Sequence, residues 1–289
     1  MVTQTKKTKV VANKKSTALA VPTVNLFEDA NVGFENIGIE DSRIPMLSIL
    51  QSGSPQCKRS NGKYIEGARE GNIFNSVTEK LYDGDEGVEI IVAAYDRVYI
   101  EWIPRNSDGS GGGFAGVHTK DSKTVLTATK TEDCRDGRLD NGNELANTMQ
   151  FYVLLKKAEG GVTKMLIPMS STQLTPGRTL VAKLQDLVET DPKSGRSYTP
   201  PLFYSIYNLK TVVQTKGENS WYNYKTEFVR TLDIQDADDV QLYLAGKEFH
   251  TLVSSKEVEI NRDKMDEGTQ TTGKTKNVTP EVDDENVAF

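Results

Sequence analysis

Histidine and cysteine are scarce in this chain: His118, His250, Cys57 and Cys134 are the only ones among 289 residues. Neither histidine has cysteine, histidine or carboxylate neighbours at metal-ligand spacing, so no metal or other cofactor is expected. There is no nucleophile elbow and no kinase or phosphate-loop signature. The chain is therefore not expected to be an enzyme. The Gly-rich run Asn106 to Gly113 reads as a mobile loop, because no Gly-Lys-Ser/Thr follows it. Asp136 to Glu144 superficially matches a calcium loop, but Arg138 stands where an oxygen ligand belongs, and Asn141-Gly142 reads better as a tight turn. Two thiols in so long a chain suit a reducing compartment better than a stapled secreted domain. No long apolar run is present, and the N-terminus lacks the apolar stretch of a secretory signal, so neither a membrane span nor export is expected. A cytoplasmic location follows.

What the chain does have is β-forming sequence that mixes rings with cations. Residues 202 to 230 read as a hairpin: an aromatic and β-branched arm from Phe203 to Thr215, a turn at Lys216-Gly217-Glu218-Asn219, and a second arm from Ser220 to Arg230. Alternation puts Phe203, Tyr207, Leu209, Thr211 and Val213 roughly on one face of the first arm, with Tyr204, Ile206, Lys210 and Val212 on the other. On the second arm Trp221, Lys225 and Glu227 share a face, and Tyr222, Tyr224, Phe228 and Arg230 share the opposite one. Val88 to Ile103 is the strongest strand signal, and Tyr95, Arg97, Tyr99, Trp102 and Arg105 repeat the same ring-and-cation texture. A surface of this kind fits single-stranded nucleic acid, whose bases offer π-faces and whose phosphates want cations. Aromatic strands also commonly pack as plain core.

A hydrophobic content of 36% is enough for a genuine core, and 26% charged residues with a mean hydropathy of −0.51 describe a soluble chain. Further strands are expected at Ile44 to Leu50, Gly71 to Val77, Thr148 to Lys156 and Val162 to Pro168. Residues 114 to 148 are read as polar and turn-rich. Two helices are expected. One is capped by Thr175 with Pro176 at its first helical position and buries Leu180, Val181, Leu184, Leu187 and Val188; the other, near Asp236 to Val253, buries Val240, Tyr243, Leu244, Phe249 and Leu252.

The charge is bipolar. The net charge is −6, yet residues 1 to 20 carry Lys6, Lys7, Lys9, Lys14 and Lys15 and no acid, whereas Pro280 to Phe289 carry Glu281, Asp283, Asp284 and Glu285 and no base. The expected organisation is a disordered basic arm (1–20), one β-rich domain (21–260) and a disordered acidic tail (261–289).

An acidic tail closing on Phe289 can insert its ring into an apolar pocket while its carboxylates meet a basic rim. With that tail, Asp283, Asp284, Glu285 and Phe289, and with its ring-and-cation strands, the chain resembles phage-encoded single-stranded DNA-binding proteins. The resemblance implies a mainly β fold, β-rich α+β, with an OB-like barrel core and the two helices at its periphery. It implies sequence-independent binding of single-stranded DNA in phage replication or recombination within the host cytoplasm. Tyr99, Trp102, Arg105, Tyr207, Lys210, Trp221, Tyr222 and Lys225 would contact the strand, and Asp283, Asp284, Glu285 and Phe289 would recruit phage or host replication and recombination proteins. A homo-oligomer is compatible with this. Residues 21 to 260 are themselves acidic, and two other readings stand beside it: a structural or decoration protein of the virion, and a DNA-mimicking inhibitor of a host nuclease.

Overall fold

The computed structural model describes Gly33 and residues 44–106, 111–132 and 134–255. The chain divides into two units, Met1–Ile37 and Gly38–Phe289, and every described residue except Gly33 belongs to the second. The expected arm and tail lie outside the described residues.

The fold is mainly β with several antiparallel sheets. In chain order the elements are β1 (Leu47–Ile49), β2 (Ile73–Asn75), β3 (Leu81–Tyr82), β4 (Val88–Arg105), β5 (Gly111–Thr119), α1 (Lys123–Thr127), β6 (Glu144–Lys156), β7 (Val162–Ser170), α2 (Leu174–Asp186), β8 (Glu189–Thr190), β9 (Ser197–Tyr198), β10 (Ser205–Lys216), β11 (Asn219–Thr231) and α3 (Ala237–Ser254). The main sheet runs β11-β10-β4-β6-β7, with β5 also on β4; β1-β2-β3 and β8-β9 form two smaller sheets.

The 18-residue β4 organises this sheet. Its Ile90 to Trp102 pairs along one edge with β6, while on the other edge Val88 to Ile91 pairs with β10 and Val98 to Arg105 with β5. Val92 to Arg97 thus has a strand partner on one edge only. A bulge between Val92 and Ala94 falls in this stretch and resets which side chains face which side. The carbonyl of Ala93 there accepts from His250 Nδ1 at 3.1 Å, which makes Nδ1 the protonated ring nitrogen.

The sheet buries both faces. On one, Ile90 and Val92 of β4, Phe151 and Val153 of β6, Met165 and Ile167 of β7 and Tyr207 and Leu209 of β10 pack with Leu47, Ile73, and Leu180 and Leu184 of α2. On the other, Ile91, Ala94, Val98 and Ile100 pack with Tyr152, Leu154, Ile206 and Phe203 beneath Phe249 of α3.

The expected barrel does not close. The sheet ends at β11 and β7, which do not pair. Between them stands β1, only three residues long. Toward β7 it makes one parallel bridge, Met46 to Leu166, with Leu166 N–H donating to the Pro45 carbonyl at 2.9 Å. Toward β11 side chains replace a ladder: Gln51 Nε2 donates to the Tyr222 carbonyl at 2.8 Å, Gln51 Oε1 accepts from Tyr222 N–H at 2.9 Å, and Lys183 of α2 reaches the Thr226 carbonyl. A closed barrel needs a continuous ladder around its girth, which so short a strand does not supply. Gln51→Ala would strip both bonds from the half-buried Tyr222 backbone and is expected to cost roughly 1–3 kcal/mol, measured as a lower urea midpoint.

Among the described residues three α-helices form where two were expected. The short α1, capped by the Ser122 hydroxyl, lies in the stretch read as turn-rich, as does most of β5. Gly111 to Gly113, read as part of a loop, open β5 with φ of 68°, 89° and 151°, angles that other residues adopt at a cost. Thr175 does not cap α2: the chain enters it through a single 3-10 turn, Ser171–Gln173, so that Thr175 and Pro176 fall within the first helical turn. The Asp236 side chain accepts from Asp238 and Asp239 N–H to cap α3. Val188 and Leu244, expected inside, are 59% and 49% exposed.

Candidate nucleic-acid interface

Beyond the bulge, Tyr95, Arg97, Tyr99 and Glu101 share the α2-side face of β4 by alternation. The registers place them in cross-strand rows: Tyr95 beside Phe151 and Ile167; Arg97 beside Met149 and Met169; Tyr99 between His118 and Asn147; Glu101 between Gly116 and Leu145. Successive rows are about 7 Å apart and Tyr95 and Tyr99 about 13 Å. Ring, cation and ring therefore alternate along one open stretch of backbone.

Tyr95 is 36% exposed, and its inner side rests on Phe151 at 5.2 Å between centroids. Burial raises the pKa of its phenol; the positive charge of Arg97 opposes that rise, the negative charge of Asp96 adds to it, and Arg178 opposes it more weakly. Gly177, next to Arg178 in the chain, lets α2 lie close on the sheet: a Cβ there would meet Met149 Sδ at 2.9 Å and Met169 Sδ at 3.2 Å. Arg97 is held from behind, its Nε donating to Asn147 Oδ1 at 2.9 Å while Asn147 N–H donates to Asp136 Oδ2 at 2.9 Å. The face thus offers a ring backed by the core and a guanidinium in the neighbouring row, suited to stacking one base and meeting a phosphate.

At the far end Glu101, 9% exposed, is held in a polar cluster. Its Oε1 accepts from Asn143 Nδ2 at 2.6 Å and Asn141 Nδ2 at 3.4 Å, and its Oε2 lies 2.7 Å from His118 Nε2. The Asn143 amide, then His118 and Asn141, hold the carboxyl below its ordinary range against the opposing effect of burial.

The eight strand contacts expected from the sequence do not converge here. Tyr99 is on this face, half-buried. Trp102 is on the opposite face, edge-on to Phe114 at 6.3 Å and packed toward the α3 cluster. Arg105 is at the end of β4, exposed, across from Gly111. Tyr207, 1% exposed, and half-buried Tyr222 belong to the α2-side core. Lys210 and Lys225 are direct cross-strand partners on the hairpin, as are Trp221 and Gln214. Some eight residues of β4, roughly 26 Å of strand, separate Tyr99 from Ile91, where β10 attaches. Trp221 Nε1 is shielded without a hydrogen-bond partner. The expected tail contacts, Asp283, Asp284, Glu285 and Phe289, lie outside the described residues. A cleft of about 300 Å³ between β1, β2 and residues 54–65 is lined by none of the expected residues.

The two hairpin lysines share a single carboxylate, which offsets one of their two positive charges. Glu227 meets Lys225 at 2.7 Å and Lys210 at 3.0 Å, which lower its pKa to about 2. A depressed carboxylate stabilises above its ordinary range, near pH 4.3, and loses that contribution as pH falls through the folded value. An NMR titration should therefore find the Glu227 carboxyl carbon moving near pH 2, and shifted toward the ordinary range by Lys225→Ala.

Sequence reasoning noticed Tyr95 and Arg97 but left them out of the binding set, and it missed Arg178, His118 and Glu101. The i, i+2, i+4 spacing of Tyr95, Arg97 and Tyr99 was the available signal. Nothing local marks Arg178, which arrives from another element.

A family model described as Pam3 phage gp34-like protein matches residues 14–259. No curated protein matches, and no solved structure does. Among the described residues no helix is long and apolar enough to cross a membrane.

Proposed function

We propose that this chain, which belongs to the Pam3 phage gp34-like family and is a phage protein, binds single-stranded DNA without sequence preference during phage replication or recombination. The observation that supports this reading is the face of Tyr95, Arg97 and Tyr99: an open ring, backed by Phe151, with a guanidinium in the next cross-strand row. The mechanism is stoichiometric. Bases stack on Tyr95 and Tyr99, the guanidinium displaces counterions from phosphate, and the bound strand is shielded. The acidic tail with Asp283, Asp284, Glu285 and Phe289 would recruit replication or recombination partners.

The test is anisotropy of labelled oligo(dT) and of a duplex, each titrated with the protein at low and moderate salt. Single-strand binding that weakens steeply with salt supports the reading, and no response to the single strand at low salt ends it. A second reading, a structural or decoration protein of the virion, is favoured by the burial of Tyr207 and Tyr224 and by exposed apolar side chains on the hairpin, Val213 at 56% and Phe228 at 51%. Presence of the chain in stoichiometric amount in purified particles, without DNA binding, would establish that alternative.

A further inference from the structure

We propose that the cleft between β1, β2 and residues 54–65 binds a nucleotide, its base against the apolar floor and its phosphate at Lys63. The cleft shares no residue with the Tyr95–Tyr99 face, so this site stands independently of the reading above.

The floor is the outer face of the small sheet. Leu47, Ile49 and Ile73 turn toward the α2-side core, so alternation turns Ser48 and Phe74 the other way, and the register sets those two directly opposite each other. The next row follows β1, where Leu50 N–H donates to the Asn72 carbonyl at 2.9 Å. Leu50 and Phe74 are 3% and 6% exposed yet belong to neither core of the main sheet. Loop 54–65 faces them. Successive turns shape it: Lys58 N–H donates to the Pro55 carbonyl at 3.1 Å, Asn61 N–H to Lys58 at 2.9 Å and Tyr64 N–H to Asn61 at 3.0 Å. Ile65 N–H donates to the Gln56 carbonyl at 3.1 Å and ties the two ends of the loop together. Gln56, Lys63 and Tyr64 thereby line the cleft.

A volume of about 300 Å³ is at the lower end of the range for small-molecule sites, which suits one ring system and its substituent. Leu50, Ile65, Phe74 and Pro168 offer it an apolar body to rest on. The Ser48 hydroxyl, the Gln56 amide and the Tyr64 phenol have no hydrogen-bond partner among the described residues. Each of these groups both donates and accepts, as the edge of a heterocycle requires and an aliphatic side chain does not. Lys63 supplies the cation. Its ammonium has three N–H donors, so a phosphate can share it with another acceptor. Residues 56–65 carry Lys58, Arg59 and Lys63 and no acid, which favours an anion at this loop although the whole chain is acidic. Glu79 also lines the cleft. Its carboxylate suits an exocyclic amino group, which makes adenine the base to test.

The experiment is saturation-transfer NMR of dAMP and of deoxyadenosine with the full chain, as wild type, Tyr64→Ala and Lys63→Gln. Lys63 is exposed and Tyr64 half-buried on the loop, and circular dichroism verifies both folds. The expected result is saturable dAMP binding, weakened about fivefold or more by Tyr64→Ala through the lost stacking. Lys63→Gln should weaken dAMP and leave deoxyadenosine unchanged, and it decides alone if Tyr64→Ala does not fold. No saturable dAMP binding at millimolar concentration overturns the proposal, as does binding that the variants leave unchanged. Displacement of dAMP by equimolar inorganic phosphate also overturns it, since the lysine would then act without the cleft. Where dAMP binds, anisotropy of labelled oligo(dA) with the same proteins identifies the source. Oligonucleotide binding weakened by Tyr64→Ala means that the cleft takes one base of a strand; oligonucleotide binding that is intact or absent means that it takes a free nucleotide. Absence of strand binding thus ends the reading of the Tyr95–Tyr99 face and leaves this site standing.

Discussion

Phe249→Ala should destabilise the protein by about 3–5 kcal/mol, the cost of emptying a well-packed aromatic site. Phe249 is fully buried and anchors α3 on the sheet, edge-on to Tyr152 at 6.2 Å, with the Lys164 ammonium 5.8 Å from its ring centroid. Total stabilities of domains are about 5–15 kcal/mol, so the loss would be a large share. Urea unfolding should show a midpoint far below that of wild type with an unchanged slope. Phe249→Leu, which keeps most of the volume, should cost under about 1.5 kcal/mol. A loss below about 1 kcal/mol for the alanine variant would mean that α3 is not part of the cooperative unit. The consequence reaches the candidate interface, because the next residue, His250, holds the Ala93 carbonyl at the bulge from which Tyr95 emerges.

The strands with strong composition were legible. β4, the β6–β7 hairpin and the β10–β11 hairpin fall where β-branched and aromatic residues cluster, and between Tyr207 and Phe228 the two faces of the last hairpin are those that alternation predicts, whereas Phe203 packs with Ile206 on the α3 side and a bulge sets Arg230 opposite Ile206 rather than beside Phe228. β5 was not legible, since GGGFAGVHT is five-ninths glycine and alanine and forms a strand by pairing with β4 rather than by propensity. Closure was misread for a related reason. Strand order along the sheet follows from local hairpins, whereas the gap between β7 and β11 is filled by Gln51 and Lys183, long-range contacts that leave no periodic trace.

The candidate site was half legible on the same grounds. Ring-and-cation texture pointed to β4 and to the hairpin alike, but texture does not reveal which side chains are already engaged. Lys210 and Lys225 share Glu227, and Tyr207 is core. Tyr95 and Arg97 differ because β4 loses its strand partner on one edge at that point, a fact of topology.

Tyr95→Ala and Arg97→Gln should therefore have separable effects on strand binding. Removing the ring deletes one stacked base, worth about 1–3 kcal/mol, or roughly 5- to 150-fold in affinity, and should leave the salt dependence almost unchanged. Removing the guanidinium should weaken binding less at moderate salt but flatten the plot of log K against log salt by about 0.7, the slope for one phosphate contact on a single strand. Tyr95 lies at the surface, so its alanine variant should still unfold cooperatively near the wild-type midpoint, which separates lost binding from lost structure. Trp221→Ala on the hairpin supplies the contrast. If Trp221→Ala abolishes binding while Tyr95→Ala and Arg97→Gln leave it intact, the strand follows the hairpin instead, and the ring-and-cation face of β4 is only the outer margin of the core.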